Sequence, residues 1–287
     1  MSVRDVLTHS ELSFTPSEEK IVQLLLAEYP IAGLGTANSL AKKAGVSDPT
    51  VTRLLVKLGF DGFPDFQAKL LADVEARLQS PLHLMEAKKT VIADDGAAIT
   101  YLRSVVNVVE KTITATPVTT YDRAAKLIME AKQVSLVGGR FSRHAAGMLA
   151  AYLLQFRAGV RDMSALSAQE FDTLIDYGKR DVLVAFDYRR YQRDVVSFAE
   201  QAARKGARVI LFTDQWLSPI AEVSEVTIIA PQEVASPYDT IVPAIAQMEA
   251  LVAMIVSTLS EETKGRIERL EEIRARNAVT IDSAKER

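Results

Sequence analysis

Residues 134–147 carry the residue types that could bind an anion. A short apolar run ends in two glycines and passes into a helical pattern, so a strand would turn into a helix there. Such a turn presents backbone N–H groups, and the positive end of the helix dipole attracts an anion, phosphate above all. The spacing matches neither the G-x-x-x-x-G-K-[ST] loop nor the dinucleotide pattern G-x-G-x-x-G. The sequence therefore predicts a phosphate site at the carboxyl end of a parallel strand.

The elements that would position this stretch alternate along the chain. Short apolar runs, one of them apolar enough to be buried on both faces, alternate with helical patterns, which is typical of a doubly wound parallel sheet. A helix before them, at 97–116, either links two domains or packs on the second one, and the next helix is predicted to start at Tyr121. The predicted strands are 134–137, 159–163, 181–186, 207–213 and 226–230, and the predicted helices are 144–156, 168–177, 193–205, 218–221 and 236–259.

Composition limits the function classes. The chain has 287 residues, enough for about two domains. Its net charge is −3 and its pI about 5.8, so any nucleic-acid contact must come from a local basic patch. Cysteine is absent, which excludes disulfides, thiolate metal sites and a cysteine nucleophile. The histidines, His9, His83 and His144, lack metal-site spacing, so we expect no metal and no cofactor.

The chain also lacks the features of a secreted or membrane protein. Its first residues contain no apolar signal-peptide core. The most apolar long stretch, residues 241–259, includes Pro243, Gln247 and Glu249 and predicts a buried helix instead of a membrane span. We expect a cytoplasmic protein with no membrane partner.

A helix-turn-helix pattern lies near the N-terminus. A short helix at 37–44, a break at Gly45 and a helix capped by Ser47 follow one another, and Val51, Leu54, Leu55 and Leu58 give the second helix one buried face. Its other face would enter the major groove, with lysines near the phosphates. A plain three-helix bundle with a solvated charged face has the same spacing. The candidate DNA-contacting residues are Lys42, Lys43, Ser47, Pro49, Thr50, Thr52, Arg53 and Lys57.

The motifs of this region resemble a known family. They are FTPSEEK at 14–20, SLAKKAGVSDPTVTR at 39–53 and KLGFDGFPDF at 57–66. Through about residue 82 the chain is similar to the N-terminal domain of RpiR-type bacterial transcriptional regulators. The resemblance favours the helix-turn-helix over the plain bundle and implies double-stranded operator DNA as a partner. Because such readers bind two half-sites, we expect a homo-oligomer, a dimer or a tetramer.

The second half resembles the sugar isomerase (SIS) domain, a flavodoxin-like fold that binds phosphosugars. The matching pieces are VGGRFS at 137–142, DVLVAF at 181–186, FTD at 212–214 with SPIA at 218–221, and SPYD at 236–239. The resemblance implies that a serine and the backbone amides of the first loop hold the phosphate. A serine there could also cap the following helix. The implied ligand residues are Gly138, Gly139, Arg140, Phe141 and Ser142.

The loop of residues 187–193 departs from that family. The family has a Ser-x-Ser-Gly-x-Thr loop there, whereas this chain has DYRRYQR. One hypothesis is that Arg189 or Arg190 contacts the anion, since a guanidinium can bind phosphate or carboxylate with two hydrogen bonds. A second is that the ligand is a sugar acid. A third is that the loop is filled by its own side chains, with Asp187 paired to an arginine. Asp187 could also accept hydrogen bonds from sugar hydroxyls, and Tyr188 and Tyr191 could stack on a ring or simply pack.

These inferences predict an all-α helix-turn-helix domain followed by an α/β doubly wound parallel sheet (SIS, flavodoxin-like) domain. The expected divisions are residues 1–80, a connecting part at 81–120, a sensing domain at 121–260 and a charged tail at 261–287. The alternative function is a sugar-phosphate isomerase, with Glu170, Glu233 or His144 as the base. None of them lies in an isomerase motif, so we expect no catalytic residue. The predicted function is operator binding controlled by a small anionic metabolite, a phosphosugar or a sugar acid.

Overall fold

The structure, a computed structural model, describes residues 3–9, 12–78, 96–164 and 166–279. The chain divides into two compact units, Met1–His83 and Leu84–Arg287. The first part of the predicted connecting segment (residues 81–95) and the end of the predicted tail (residues 280–287) lie outside the described residues.

The first unit is helical. Helix α2 starts at a capping box, in which Glu18 N donates to Thr15 Oγ1 (3.3 Å) and Thr15 N donates to Glu18 Oε2 (2.8 Å). Helix α3 ends at Gly45, whose φ of 64° is the left-handed conformation that glycine adopts without strain. The helices are α1 (Val3–His9), α2 (Pro16–Ala27), α3 (Ala37–Ala44), α4 (Asp48–Lys57) and α5 (Phe63–Leu78).

The core of the first unit lies between these helices. Val51, Leu54 and Leu55 are fully buried and Leu58 nearly so, which confirms the predicted buried face of α4. Helix α1, which was not predicted, adds Val3 to this core. Helix α5 begins at Phe63, within the KLGFDGFPDF motif.

The second unit is an α/β domain. Its helices are α6 (Ala97–Ala115), α7 (Val118–Glu130), α8 (Ser142–Phe156), α9 (Ala168–Asp172), α10 (Arg193–Arg204), α11 (Val242–Ser257) and α12 (Glu261–Arg276). Its strands are β1 (Gln133–Gly138), β2 (Val160–Asp162), β3 (Asp181–Phe186), β4 (Arg208–Thr213) and β5 (Val226–Ile229).

The five strands form one parallel sheet in the order β2-β1-β3-β4-β5. Strand β3 is buried along its whole length, as its apolar sequence predicted. One core cluster joins the sheet to α7, α8 and α11, and another joins its other face to α10. The strand order reverses at β1, so the loops after β1 and β3 flank the crevice where such sheets bind ligands. The predicted fold class is confirmed.

Three predicted helix boundaries in this unit are wrong. Helix α7 begins at Val118 and not at Tyr121. The predicted helix 168–177 is a short α-helix followed by a 3-10 turn, Thr173–Asp176. The helix predicted from residue 236 begins only at Val242, because Val242 N donates to Thr240 Oγ1 (3.2 Å) and Tyr238 N donates to Ser236 Oγ (3.1 Å). Such local side-chain bonds compete with helix formation.

Helix α6 packs against α11, so residues 97–115 belong to the second unit, one of the two predicted placements. In the described part of the chain, no single helix has the length and hydropathy to cross a membrane; α11 and α12 meet that test only as a pair bent by 112°.

Candidate functional site

The predicted DNA-contacting residues lie at the end of α3 and along the exposed side of α4. All eight lie on the surface of the first unit; Thr50 is half-buried and the others are exposed. Along the exposed side, Arg53 Nε donates to Pro49 O (3.3 Å) and Thr52 Oγ1 donates to Asp48 O (3.3 Å). These local contacts hold short polar groups along the side of the helix that faces away from the core.

Two of the predicted lysines have acidic partners in their own unit. Lys43 Nζ lies 2.8 Å from Glu28 Oε2, and Lys57 Nζ lies 2.8 Å from Glu18 Oε2. The hydrogen bond from Lys57 is the main reason why the pKa of Glu18 is lowered. DNA must compete with these carboxylates for Lys43 and Lys57, so Lys42 and Arg53, which have no acidic partner in the described structure, are the stronger candidates for DNA contacts.

The predicted N-cap residue of α4, Ser47, is confirmed, although its side chain forms no cap bond. Its hydroxyl instead pairs with Thr50 Oγ1 (2.9 Å). The N-termini of α3 and α4 are joined instead by Asn38 Nδ2, which donates to both carboxylate oxygens of Asp48 (3.3 and 3.1 Å).

In the second unit, the loops after β1 and β3 touch at the carboxyl edge of the sheet. Arg140 N donates to Gln192 Oε1 (3.0 Å), and Arg140 Nη2 donates to Arg189 O (3.4 Å). Gly139 permits this approach, because a Cβ at that position would lie 2.8 Å from Gln192 Cβ. One of the backbone amides predicted to hold an anion therefore has an internal acceptor, the Gln192 carboxamide.

Ser142 is buried beneath these loops. Its Oγ lies 2.7 Å from Gly139 O and 2.6 Å from Phe186 O, so its hydroxyl donates to backbone carbonyls. Helix α8 begins at Ser142 itself and has Phe141 as its N-cap residue, so the interpretation of Ser142 as a helix cap is wrong. Its observed contacts hold the end of β3 against the first loop.

Asp187 joins the loop after β3 to the loop after β4. It is 2% exposed, and its two oxygens accept hydrogen bonds from Ser218 Oγ (2.5 Å) and Gln192 N (3.1 Å). The predicted pairing of Asp187 with an arginine is therefore wrong. Burial raises the pKa of Asp187 to about 6, although the bond from Ser218 lowers it in part.

Arg189 is also buried and forms an ion pair with Asp239. Its Nε donates to Asp239 Oδ2 (2.9 Å) and its Nη2 to Asp239 Oδ1 (2.5 Å), so the carboxylate is bound by two hydrogen bonds. The guanidinium carbon lies 5.1 Å from the ring centroid of Trp216. The indole Nε1 of Trp216 is buried and has no hydrogen-bond partner among the described residues.

Asp214 organises the same edge from the end of β4. Its carboxylate accepts hydrogen bonds from Tyr191 Oη (2.9 Å), Trp216 N (2.9 Å) and the backbone N–H of Arg189. Burial raises the pKa of Asp214. Sequence reasoning assigned no role to Asp214, Asp239 or Gln192. For Asp214 the available signal was an acid directly after a buried strand.

Backbone strain concentrates at this edge. Arg140 (φ 41°), Arg190 (φ 69°) and Leu217 (φ 57°) have left-handed backbones, and they lie in the loops after β1, β3 and β4. Ala278 is the only other described non-glycine residue with a positive φ. Such conformations cluster at functional sites. Arg140 and Arg190 are exposed, so two guanidinium groups stand at the strained tips of loops that meet.

The candidate bases of an isomerase belong to three separate segments of the second unit, and none of them is buried. Glu170 forms a capping box with Ser167, and the hydrogen bond from Ser167 is the main reason why the pKa of Glu170 is lowered. Glu233 and His144 are exposed. Phe141, which was predicted to bind the ligand, is 72% exposed. Among the described residues, no three acidic or histidine side chains cluster as metal ligands would.

Comparisons with known proteins agree with the two folds. Residues 1–77 match the family model of the helix-turn-helix domain, rpiR family, and residues 127–257 match that of the SIS domain. The chain is similar to an uncharacterized HTH-type transcriptional regulator of Clostridium perfringens, with 23% identity over 228 residues, 78% of this chain and 80% of that protein.

Two solved structures share the architecture. The sugar isomerase domain of an RpiR transcription factor from Sphaerobacter thermophilus has a TM-score of 0.58 and 21% identity, and covers 61% of this chain and 98% of that one. The NanR protein of Vibrio vulnificus, solved with ManNAc-6P, has a TM-score of 0.54 and 16% identity, and covers 94% of this chain and 96% of that one. With an rpiR-family helix-turn-helix domain followed by a SIS domain, the chain belongs to the RpiR family.

Proposed function

We propose that this protein is a cytoplasmic transcriptional regulator that binds operator DNA through α4, and that a small anionic metabolite controls its DNA binding. The observation that carries the proposal is that an rpiR-family helix-turn-helix domain and a SIS domain occur in the same chain. The HTH-type regulator of similar sequence supports the same function.

The carboxyl edge of the sheet favours an anionic ligand, a phosphosugar or a sugar acid. Arg140, Arg189 and Arg190 bring three guanidinium groups to the two loops that meet there. The donors of Arg189 and the amide of Arg140 already bind acceptor oxygens, from Asp239 and Gln192. We infer that the anion of the ligand replaces these internal acceptors, since phosphate and carboxylate oxygens bind the same donors.

The DNA-binding half of the proposal is tested with DNA from upstream of the protein's own gene, by fluorescence anisotropy. Arg53→Ala should reduce operator affinity by roughly 10–100-fold, because a base-edge contact of an arginine contributes about 1–3 kcal/mol. The matched control is Arg204→Ala, an exposed arginine of α10 that pairs with Glu200. Unchanged affinity of Arg53→Ala would contradict the assignment of α4.

The sensing half is tested by a thermal-shift screen of phosphosugars, ManNAc-6P among them, and sugar acids. A ligand at about 100 times its dissociation constant should stabilise the protein by about 2.7 kcal/mol, and the same compound should change operator affinity. Arg140→Ala should reduce the shift, and Arg204→Ala should not. A ligand whose shift is insensitive to Arg140→Ala binds elsewhere, and turnover of a sugar phosphate would favour the isomerase.

A further inference from the structure

A cavity of about 630 Å³ lies in the second unit at the amino edge of the sheet. It is lined by one side of α7, the ends of α8 and α11 and the first half of α12. Arg157 in its wall donates from Nη2 to Lys132 O (3.2 Å), directly before β1. The site described above lies at the other end of α8, whose 15 residues span roughly 22 Å. We call this space the amino-edge cavity.

The floor of the amino-edge cavity is apolar. Phe156 and Ile255 belong to the buried core of the unit, and Met129, Met254 and Leu259 are half-buried beside them. Small-molecule sites have volumes of roughly 300–1,000 Å³ and are lined mainly by apolar side chains with a few polar groups. Methionine side chains adapt to ligands of different shape. The size and the floor therefore suit an organic molecule and exceed what a single inorganic ion needs.

The polar lining carries more positive than negative charge. Two of the cations bind only backbone carbonyls at helix ends. Arg157 donates to Ala131 O (2.5 Å) and Ala158 O (2.9 Å) as well as to Lys132 O, and burial lowers its pKa. Arg266 donates to Leu154 O (2.9 Å). Carbonyl dipoles do not cancel a full charge. The cationic lining residues are Lys126, Arg157, Arg266 and Arg269, and the anionic ones are Asp122 and Glu262.

Two cations on opposite sides of the cavity have donors to offer. Within the part of the chain that the structure describes, Arg269 of α12 forms neither an ion pair nor a hydrogen bond. Lys126 Nζ of α7 lies 3.9 Å from Glu130 Oε1, beyond hydrogen-bond distance. Asp122 and Glu262 are exposed, so solvent screens their charges. An oxyanion is the group that a guanidinium and an ammonium bind best.

We propose that the amino-edge cavity is a second ligand site, which binds a small organic anion with an apolar body. The oxyanion group binds Arg269 and Lys126, and the body packs on Met129, Phe156 and Met254. This site is separate from the carboxyl edge, to which the proposed function assigns the metabolite. Its test is direct binding to the full-length protein and needs neither DNA nor that metabolite.

Fluorescence titration with 8-anilinonaphthalene-1-sulfonate, a sulfonate on an aromatic body, is the primary measurement. Arg269→Glu should raise the dissociation constant of this probe by about tenfold, because a carboxylate replaces the guanidinium. The matched control is Arg276→Glu, at an exposed arginine of the same helix outside the cavity, and it should leave the constant unchanged. A wild type that does not bind the probe, or equal constants for wild type and Arg269→Glu, would overturn the proposal.

A second variant and a competition assay keep the proposal testable should Arg269→Glu fail to fold. Lys126→Glu, at an exposed residue of α7, should weaken probe binding to a similar extent, and unchanged binding would contradict the placement of the oxyanion. Phenyl phosphate should displace the probe at concentrations at least about tenfold lower than inorganic phosphate, since only phenyl phosphate has a body for the apolar floor. Equal displacement by the two would refute the organic ligand.

The variant Arg140→Ala separates this site from the carboxyl edge. It should bind the probe as the wild type does, and a loss of probe binding would place the probe at the carboxyl edge and overturn the proposal. A protein that binds the probe through Arg269 but no phosphosugar or sugar acid would refute the proposed ligand of the carboxyl edge alone. The reverse pattern would refute the amino-edge site alone.

Discussion

Burial determines the ionisation of Asp187. Its folded pKa of about 6 lies above the ordinary value of 3.8, so the folded protein binds this proton more tightly than the unfolded chain does. Between these two values the folded state carries more protons, and stability falls as the pH rises through the window. Above pH 6 the ionised carboxylate destabilises the fold to its full extent. Asp214, whose pKa burial also raises, contributes with the same sign.

The variant Asp187→Asn tests this effect. It should lose the part of the pH dependence between pH 4 and 6 that Asp187 contributes. Between pH 4 and pH 7 its free energy of unfolding should rise relative to that of the wild type by on the order of 2–3 kcal/mol, less any change in the bonds to Ser218 and Gln192. Urea unfolding at pH 4, 5, 6 and 7 measures the difference. Asp176→Asn, at an exposed acid, is the control, and parallel curves for wild type and Asp187→Asn would refute the assignment.

At the residue scale, the sequence indicated which residues lie at the carboxyl edge of the sheet but not which partners they contact there. The two glycines, Arg140 and Arg189 do lie at the predicted edge. Their contacts join residues far apart in sequence: Arg189 meets Asp239 across 50 positions and Arg140 meets Gln192 across 52. No local pattern indicates which acid will meet which arginine, because that choice depends on how the loops pack.

At the scale of elements, the loop of residues 230–241 differs most from its prediction. It was predicted to enter a helix at residue 236, yet it stays irregular up to Val242 and brings Asp239 to Arg189. The same loop contacts α6, where Ala235 N donates to Ser104 Oγ (3.0 Å). A ligand that displaced Asp239 would therefore change a loop that is hydrogen-bonded to α6.

The variant Asp239→Asn tests whether Asp239 competes with a ligand. Removal of its charge should leave the donors of Arg189 more available and raise the affinity for ManNAc-6P or another ligand from the screen by roughly tenfold, the value of one charge-assisted hydrogen bond. Isothermal titration calorimetry measures the constant. Glu225→Gln, in the partly exposed pair with Arg123, is the matched control. Equal or weaker binding by Asp239→Asn would show that Asp239 is not a competitor.

At the scale of the whole molecule, both folds were predictable from local signals. Helical periodicity, the break at Gly45 and the alternation of apolar strands with helices can each be recognised within a short segment of the sequence. Helix α1 was missed because its seven residues are too few for a helical period to repeat. The helix ends that were wrong, near residues 118 and 236, are those where a proline or local hydroxyl bonds decide the boundary.

The charge of the molecule leads to a prediction about salt. Because the chain carries a net charge of −3, its affinity for DNA depends on a few local cations. Lys42→Ala should weaken binding to operator and unrelated DNA alike, and reduce the slope of log affinity against log salt by about 0.9. Anisotropy titrations at salt concentrations between about 50 and 200 mM measure the slope. Lys205→Ala, an exposed lysine of the second unit, serves as the control, and equal slopes would exclude Lys42 from the phosphate contacts.

Trp216 gives the molecule a built-in optical reporter. It is the only tryptophan in the chain, and its indole lies against the guanidinium of Arg189, which is itself bound to Asp239. The emission of an indole responds to nearby charge and to polar groups that approach its ring. The tryptophan emission of the unlabelled wild-type protein therefore arises at the carboxyl edge of the sheet, where a change of acceptor on Arg189 can be followed in real time by stopped flow.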